Sequence, residues 1–136
     1  MAKQLLKLEF PLNGYSKTIN KLKIEEYQFD NLISLAIPLD SERKCKLNFK
    51  KSLGEAMPPI EKSIINKSGI LGFRIGLDLL LVCNSTDSSF SRRTVPLLKQ
   101  VFYITDQTGG WCGIRVQGER VIEMLERICP LNLSIK

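Results

Sequence analysis

The alternation of apolar and polar positions becomes regular at Asn31. Asn31-Leu32-Ile33-Ser34-Leu35-Ala36-Ile37 predicts a strand stopped by Pro38. Asp40 or Ser41 is placed to N-cap a following helix, since either side-chain oxygen can accept from an unpaired backbone N–H. Cys45, Phe49 and Leu53 recur at every fourth position and give that helix one apolar face. Gly54 supplies its left-handed stop. Met57-Pro58-Pro59 begins a turn or linker. Residues 70–75 predict the next strand, and residues 77–83 pair with it as a hairpin, with Gly76 and Asp78 at the connection. Thr86, Asp87 and Ser88 offer caps for a second helix over residues 89–100, which Pro96 either opens or breaks into two turns. Residues 101–104, Val-Phe-Tyr-Ile, suit a pleated surface and close the set. The order strand, helix, strand, strand, helix, strand is that of an α+β, ferredoxin-like split βαββαβ unit spanning residues 31–105.

The order then restarts. Asp106 to Gly110 reads as a turn, with Asp106 able to bond the backbone two residues on. Residues 111–117 predict a strand in which Trp111, Gly113, Arg115 and Gln117 alternate with Cys112, Ile114 and Val116, and Gly118 ends it. Residues 119–128 predict an amphipathic helix with Val121, Ile122, Leu125 and Ile128 on one stripe. Glu119 and Glu123 lie toward its positive end and Arg127 near its negative end. Residues 106–136 therefore read as the first strand and helix of a second, incomplete unit. Its apolar stripe needs a cover: the first unit, a second copy or a different subunit. Trp111 serves either as a core anchor or as an interface anchor. Trp111, Val121, Ile122, Leu125 and Ile128 are the candidate interface, and Leu125→Glu is expected to disrupt folding or assembly.

Residues 1–30 are the least patterned. Leu5, Leu6, Leu8 and Phe10 suggest a short extended stretch ended by Pro11, and Asn13-Gly14 is a turn signal. The remainder reads as an N-terminal arm with at most one short strand, of the kind that packs on a partner.

Composition narrows the chemistry. The 136 residues contain no histidine, which excludes Ser-His-Asp and Cys-His catalysis and His-containing zinc sites. The four cysteines form no C-x-x-C pair, so they read as reduced and mostly buried thiols. Arg115 near Cys112 and Arg127 near Cys129 are the cationic neighbours a reactive thiol would need. Gly69-Ile70-Leu71-Gly72 and Gly109-Gly110 match no phosphate-binding loop and read as turns. Glu25-Glu26 has no readable acid partner. No catalytic set, cofactor site or metal site is expected in this chain. The formal charge of +6 is spread among interleaved acids and bases and reads as solvated surface. The sequons at Asn66, Asn84 and Asn132 read as chance. The apolar run at the start is too short for a signal, and nothing approaches a membrane span, so the expected setting is cytoplasmic with no membrane partner.

From Asp106 onward the sequence resembles the gamma subunit family of heterotetrameric sarcosine oxidase. That family carries a stretch like D-Q-S-x-x-W, a strand, a small polar residue and Gly, then a helix ending C-P-[LI]-[DN]-L. Asp106, Gln107, Thr108 and Trp111, then Gly118, then Leu125 and Cys129-Pro130-Leu131-Asn132-Leu133 correspond. Upstream, Leu53-Gly54-Glu55-Ala56-Met57-Pro58 resembles L-G-x-x-x-P, and Gly76 to Leu81 resembles G-P-D-E-W-L-L. Thr108 replaces the usual Ser, and Leu77 and Leu80 stand where the family has Pro and Trp. The family usually continues past the last motif into the rest of a second unit. The resemblance implies a fold related to the aminomethyltransferase (glycine-cleavage T-protein) superfamily. It implies a non-catalytic subunit, with FAD, FMN, NAD, zinc and tetrahydrofolate held in partner alpha, beta and delta subunits. Such a complex demethylates sarcosine oxidatively and passes the one-carbon unit to tetrahydrofolate. In isolation a homo-oligomer is the corresponding expectation. Two other readings stand beside it: a folate-binding member of the superfamily acting alone, and a basic nucleic-acid-binding module.

Overall fold

A computed structural model describes residues 9–84, 90–130 and 133. The elements in chain order are β1 (Ser16–Ile19), β2 (Leu22–Tyr27), β3 (Asn31–Ala36), α1 (Glu42–Leu53), β4 (Ser63–Ile65), β5 (Ile70–Arg74), β6 (Leu79–Asn84), α2 (Phe90–Leu98), β7 (Tyr103–Asp106), β8 (Gly113–Gln117) and α3 (Val121–Glu126). They fall into two compact units, residues 29–111 and the remainder from both ends of the chain.

The unit of residues 29–111 is α+β and ferredoxin-like. Its sheet runs β4-β5-β6-β3-β7, with every neighbouring pair antiparallel. Leaving aside the short edge strand β4, the spatial order is second, third, first, fourth, which is the split βαβ arrangement. Register sorts the side chains. Ile33 faces Val82 and Leu35 faces Leu80, while Leu32 faces Cys83 and Ser34 faces Leu81. The first set packs with Cys45, Phe49 and Leu53 of α1, Phe90 and Leu98 of α2, and Phe102. The second set lies on the opposite face, where Leu32, Leu81 and Cys83 are buried with Phe29, Leu71 and Phe73 against them. Burial on both faces explains why β6 is an unbroken apolar run rather than an alternating one.

The predicted face of α1 is correct: Cys45, Phe49 and Leu53 are all buried. Gly54 closes the helix in the left-handed region at φ 79°, its N–H donating to the Lys50 carbonyl. Ser41 occupies the N-cap position, but its hydroxyl turns back to the Leu39 carbonyl at 3.2 Å and caps nothing. Pro96 lies inside α2. The caps expected at Thr86, Asp87 and Ser88 fall outside the described residues. The strand expected at residues 101–104 starts two residues later. Backbone turns continue past α2 until the Phe102 N–H donates to the Leu98 carbonyl, which sinks the Phe102 ring into the core.

Two strand segments were not legible. β4 hairpins onto β5, and Asn66 builds that hairpin. Its Oδ1 accepts from the N–H groups of Ser68 and Ile70, each at 2.9 Å, and its Nδ2 donates to the Leu53 carbonyl at 2.9 Å. Asn66 thus ties the hairpin to the end of α1. The expected N-terminal arm gives way at residues 16–27, which form β1 and β2. Asn20 and Lys21, both at positive φ (49° and 66°), make the two-residue turn between them. That conformation matches the twist of a hairpin. Its usual Asn-Gly signature is missing because Lys occupies the second position. The pairing that orders β2 lies far away in sequence, in β8.

The remaining unit is the sheet β1-β2-β8 with α3. Ile24 pairs with Val116 and Glu26 with Ile114, so Ile19, Leu22, Ile24, Ile114 and Val116 share one face. Lys23, Glu25, Tyr27, Arg115 and Gln117 share the other. Trp111 and Cys112 precede β8 rather than belonging to it, because pairing with β2 begins at Gly113. The predicted helix of residues 119–128 is shorter, Val121–Glu126, with Arg120 at its N-cap and no side-chain cap.

Candidate interaction surface

The charged face of the small sheet is internally satisfied. Glu25 pairs with Lys23 and sits 3.9 Å from Arg115, whose guanidinium lies 4.2 Å from the centre of the Tyr27 ring. Glu26 has a different role. Its two carboxylate oxygens accept from the N–H groups of Leu12 (3.0 Å) and Gly14 (2.8 Å), which fixes the Asn13-Gly14 turn beside the sheet. The paired glutamates are thus structural anchors of opposite faces.

The other face is apolar and poorly covered. Leu12, Tyr15, Ile24 and Ile114 line a shallow recess of about 280 Å³ together with Glu25 and Glu26. Ile114 is 61% exposed, and Leu12, Tyr15 and Ile19 are exposed as well. Every buried hydrophobic side chain among the described residues lies between Leu32 and Phe102, outside this unit. A three-stranded sheet and a six-residue helix with no buried side chain among the described residues remove little apolar area from water.

The predicted interface residues are divided between the two units. Trp111 is in the ferredoxin-like unit and is 49% exposed, so it is not a core anchor. Val121, Ile122, Leu125 and Ile128 are in the small unit. Val121 and Leu125 are half-buried, Ile122 is exposed, and Ile128 lies beyond the end of α3 at 73% exposure. The predicted stripe is therefore shorter than its sequence pattern. Glu123 draws Arg120 and Arg127 together at the surface, and the Arg120 hydrogen bond, followed by both positive charges, holds the Glu123 carboxyl below its ordinary range.

The loop before Trp111 is well built. Asp106 Oδ1 accepts from the Thr108 N–H at 2.9 Å and from the Thr108 hydroxyl at 2.7 Å. Thr108 Oγ1 in turn accepts from the Leu32 N–H at 3.0 Å, joining the loop to β3. The backbone bond from Thr108, then its hydroxyl, lowers the Asp106 pKa. A lowered folded-state pKa means stabilisation that is full above the unfolded value of about 3.9 and lost as pH falls through the folded one. Asp106→Ala is expected to cost up to about 1 kcal/mol at neutral pH. The gap to wild type should begin to narrow only as pH falls below about 4, as read from urea midpoints at neutral and acid pH.

Cys45 and Cys83 are buried, as expected of structural thiols, but Cys112 is exposed and Cys129 half-buried. Burial raises both buried thiols, Cys83 to about 11, and keeps them protonated at neutral pH. The cations near the other two are engaged elsewhere. Arg115 stacks on Tyr27 and Arg127 bonds Glu123, while the Cys112 sulfur lies 4.0 Å from Glu26. Among the described residues, no acidic or sulfur cluster is arranged to hold a metal ion, and no helix is long and apolar enough to cross a membrane.

One site was not foreseen. Arg74 is buried at the end of β5. Its Nε donates to the Gly76 carbonyl at 3.2 Å, and its other donors bond the Leu77 carbonyl and, at 3.1 Å, Glu42. Lys46 also reaches Glu42 at 3.0 Å. The Lys46 hydrogen bond, then that of Arg74, holds the Glu42 carboxyl below its ordinary range. Arg74 thereby locks the β5–β6 connection to the start of α1. In sequence it is a lone arginine at a strand end.

Against this geometry, one solved structure is informative: a heterotetrameric sarcosine oxidase from Corynebacterium sp. U-96 in complex with pyrrole 2-carboxylate. A chain of that enzyme superposes with a TM-score of 0.65 at 15% identity, over 87% of this chain. The fold is shared. The superposition spans 62% of the length of the sarcosine oxidase chain. Neither a protein-family model nor a curated protein sequence matches this chain.

Proposed function

We propose that this chain is a non-catalytic, gamma-type subunit of a heterotetrameric sarcosine oxidase. The observation that carries the reading is the fold shared with a chain of that enzyme over most of this sequence. The motif resemblance between Asp106 and Leu133 supports it independently of the coordinates. So does the small unit, whose apolar sheet face carries no buried side chain among the described residues and suits a chain that is completed by partners. In this reading the alpha, beta and delta subunits hold FAD, FMN, NAD, zinc and tetrahydrofolate, and this chain contributes surface and stability in the cytoplasm.

Co-expression with the alpha, beta and delta subunits of the same organism tests the proposal. A single hetero-complex with sarcosine-dependent oxygen uptake is expected. A monodisperse free chain, with the other subunits assembling and turning over without it, would refute it. Leu125→Glu refines the test. Leu125 is only half-buried, so the charge should cost the free chain about 1 kcal/mol or less. Against a partner it would be desolvated, and co-purification should fall by about tenfold or more. Full recovery of the complex would remove α3 from the interface.

A further inference from the structure

The exposed charges of α1 and α2 are almost all of one sign. Arg43, Lys44, Lys46, Lys50 and Lys51 project from α1, and Arg92, Arg93 and Lys99 from α2 and the turn after it; all are exposed. Glu42 is the one acid in these segments, and it is already bound by Arg74 and Lys46. The two helices are adjacent. Asn48 Nδ2 donates to the Leu97 carbonyl at 3.2 Å, and the Cys45 thiol lies 3.5 Å from the Val101 carbonyl. Lys44 of α1 and Lys99 after α2 accordingly meet at one recess.

Two further features describe what this surface fits. Leu47 and Leu97 are 65% and 40% exposed on either side of the Asn48 contact, an apolar spot within a basic rim. At one end, Ser41, Lys44, Lys99, Gln100 and Tyr103 line a recess of about 270 Å³. The helix rings Phe49 and Phe90 are fully buried, and Tyr103, exposed at the recess, is a single ring rather than the row on which successive bases stack. An apolar centre with a charged rim is the anatomy of a protein interface.

We infer that the α1–α2 face docks an acidic protein surface, with apolar side chains over Leu47 and Leu97 and carboxylates on Lys44, Lys51, Arg93 and Lys99. The inference concerns this chain's own charge and holds whichever assembly it joins. The test uses the full chain and three labelled probes: a peptide alternating Glu and Leu, poly-glutamate of equal length, and an oligothymidylate. The alternating peptide should bind most tightly, with affinity falling as salt rises. The triple variant Lys44→Glu/Lys51→Glu/Arg93→Glu should weaken it by about tenfold or more. Lys17→Glu/Lys62→Glu/Lys67→Glu changes net charge equally and should cost less than about threefold. Leu47→Ser should remove most of the peptide's advantage over poly-glutamate, about tenfold. Equal losses in both triple variants would show attraction to net charge alone and overturn the inference. Tighter binding of oligothymidylate through the same residues would overturn it in favour of a nucleic acid. Because no sarcosine oxidase subunit enters this assay, its outcome is independent of the co-expression test.

Discussion

Phe49→Ala should lower the stability of the ferredoxin-like unit by about 3–5 kcal/mol, the range for deleting a fully buried aromatic side chain. Phe49 is completely inaccessible and packs among side chains from both helices and three strands. Its ring has little room to be replaced by relaxation. The ring edge lies beneath Gly72 of β5, where an added Cβ would be 3.5 Å from Phe49 Cζ and 3.2 Å from Ile64 Cγ1. The ring contact is at ordinary van der Waals distance, and the side chain that would have to give is Ile64 of β4. Trp111 is the one tryptophan of the chain and belongs to the same unit, so its fluorescence reports urea unfolding directly. The midpoint should fall sharply in Phe49→Ala, and the far-ultraviolet circular dichroism transition should move with it. Gly72→Ala should be destabilising in wild type and less so in an Ile64→Ala background, since the tighter neighbour is then gone. That coupling is measurable as a double-mutant cycle. Additive costs would mean that Ile64 moves aside from the new methyl group without penalty.

The legibility of this fold in its sequence follows the range of the interactions that build it. The α1 stripe of Cys45, Phe49 and Leu53, the Gly54 stop and the β5–β6 hairpin are local, and all three were readable. The Asp106–Thr108 turn was readable for the same reason, since a carboxylate bonding two residues on needs no distant partner. β1 and β2 were not readable. Their side chains mix Lys, Glu and Ile without a clean period, and what orders them is pairing with β8. β4 is three residues long and depends on Asn66, whose side chain bonds can be counted only once the hairpin is folded. The candidate interface fared likewise. Periodicity identified an apolar stripe around Leu125, but it could not show that α3 stops at Glu126 and leaves Ile128 outside. The apolar face formed by Ile19, Ile24 and Ile114 was invisible, because its members come from three strands brought together by long-range register.

Gly118→Ala should separate the two units experimentally. Gly118 has φ 146°, a region that an L side chain rarely adopts. An added Cβ would lie 2.5 Å from the Lys21 carbonyl oxygen and 2.9 Å from Leu22 Cδ2. The Leu22 methyl can turn aside, but the Lys21 carbonyl is backbone and cannot yield cheaply. Lys21 is itself held at positive φ in the β1–β2 turn, and Leu22 begins the strand that pairs with β8. The methyl group therefore forces the end of β8 away from the turn, at a cost of about 3 kcal/mol or more. A unit with no buried side chain has little stability from which to absorb that loss. Hydrogen exchange should show protection of the β2 and β8 amides falling by about a hundredfold, while the amides of β3 and β6 keep theirs. The urea midpoint reported by Trp111 should stay near the wild-type value. Gly109→Ala is the matched control, because a Cβ there meets nothing within 4 Å. If the chain is the proposed subunit and the small sheet completes itself on partners, Gly118→Ala should also fail to co-purify with them despite an intact ferredoxin-like unit. Uniform loss of protection across both sheets would instead mean that the two units fold as one cooperative block. In that case the exposed apolar face would belong to a single folding core, and the small unit could not be treated as a module that partners complete.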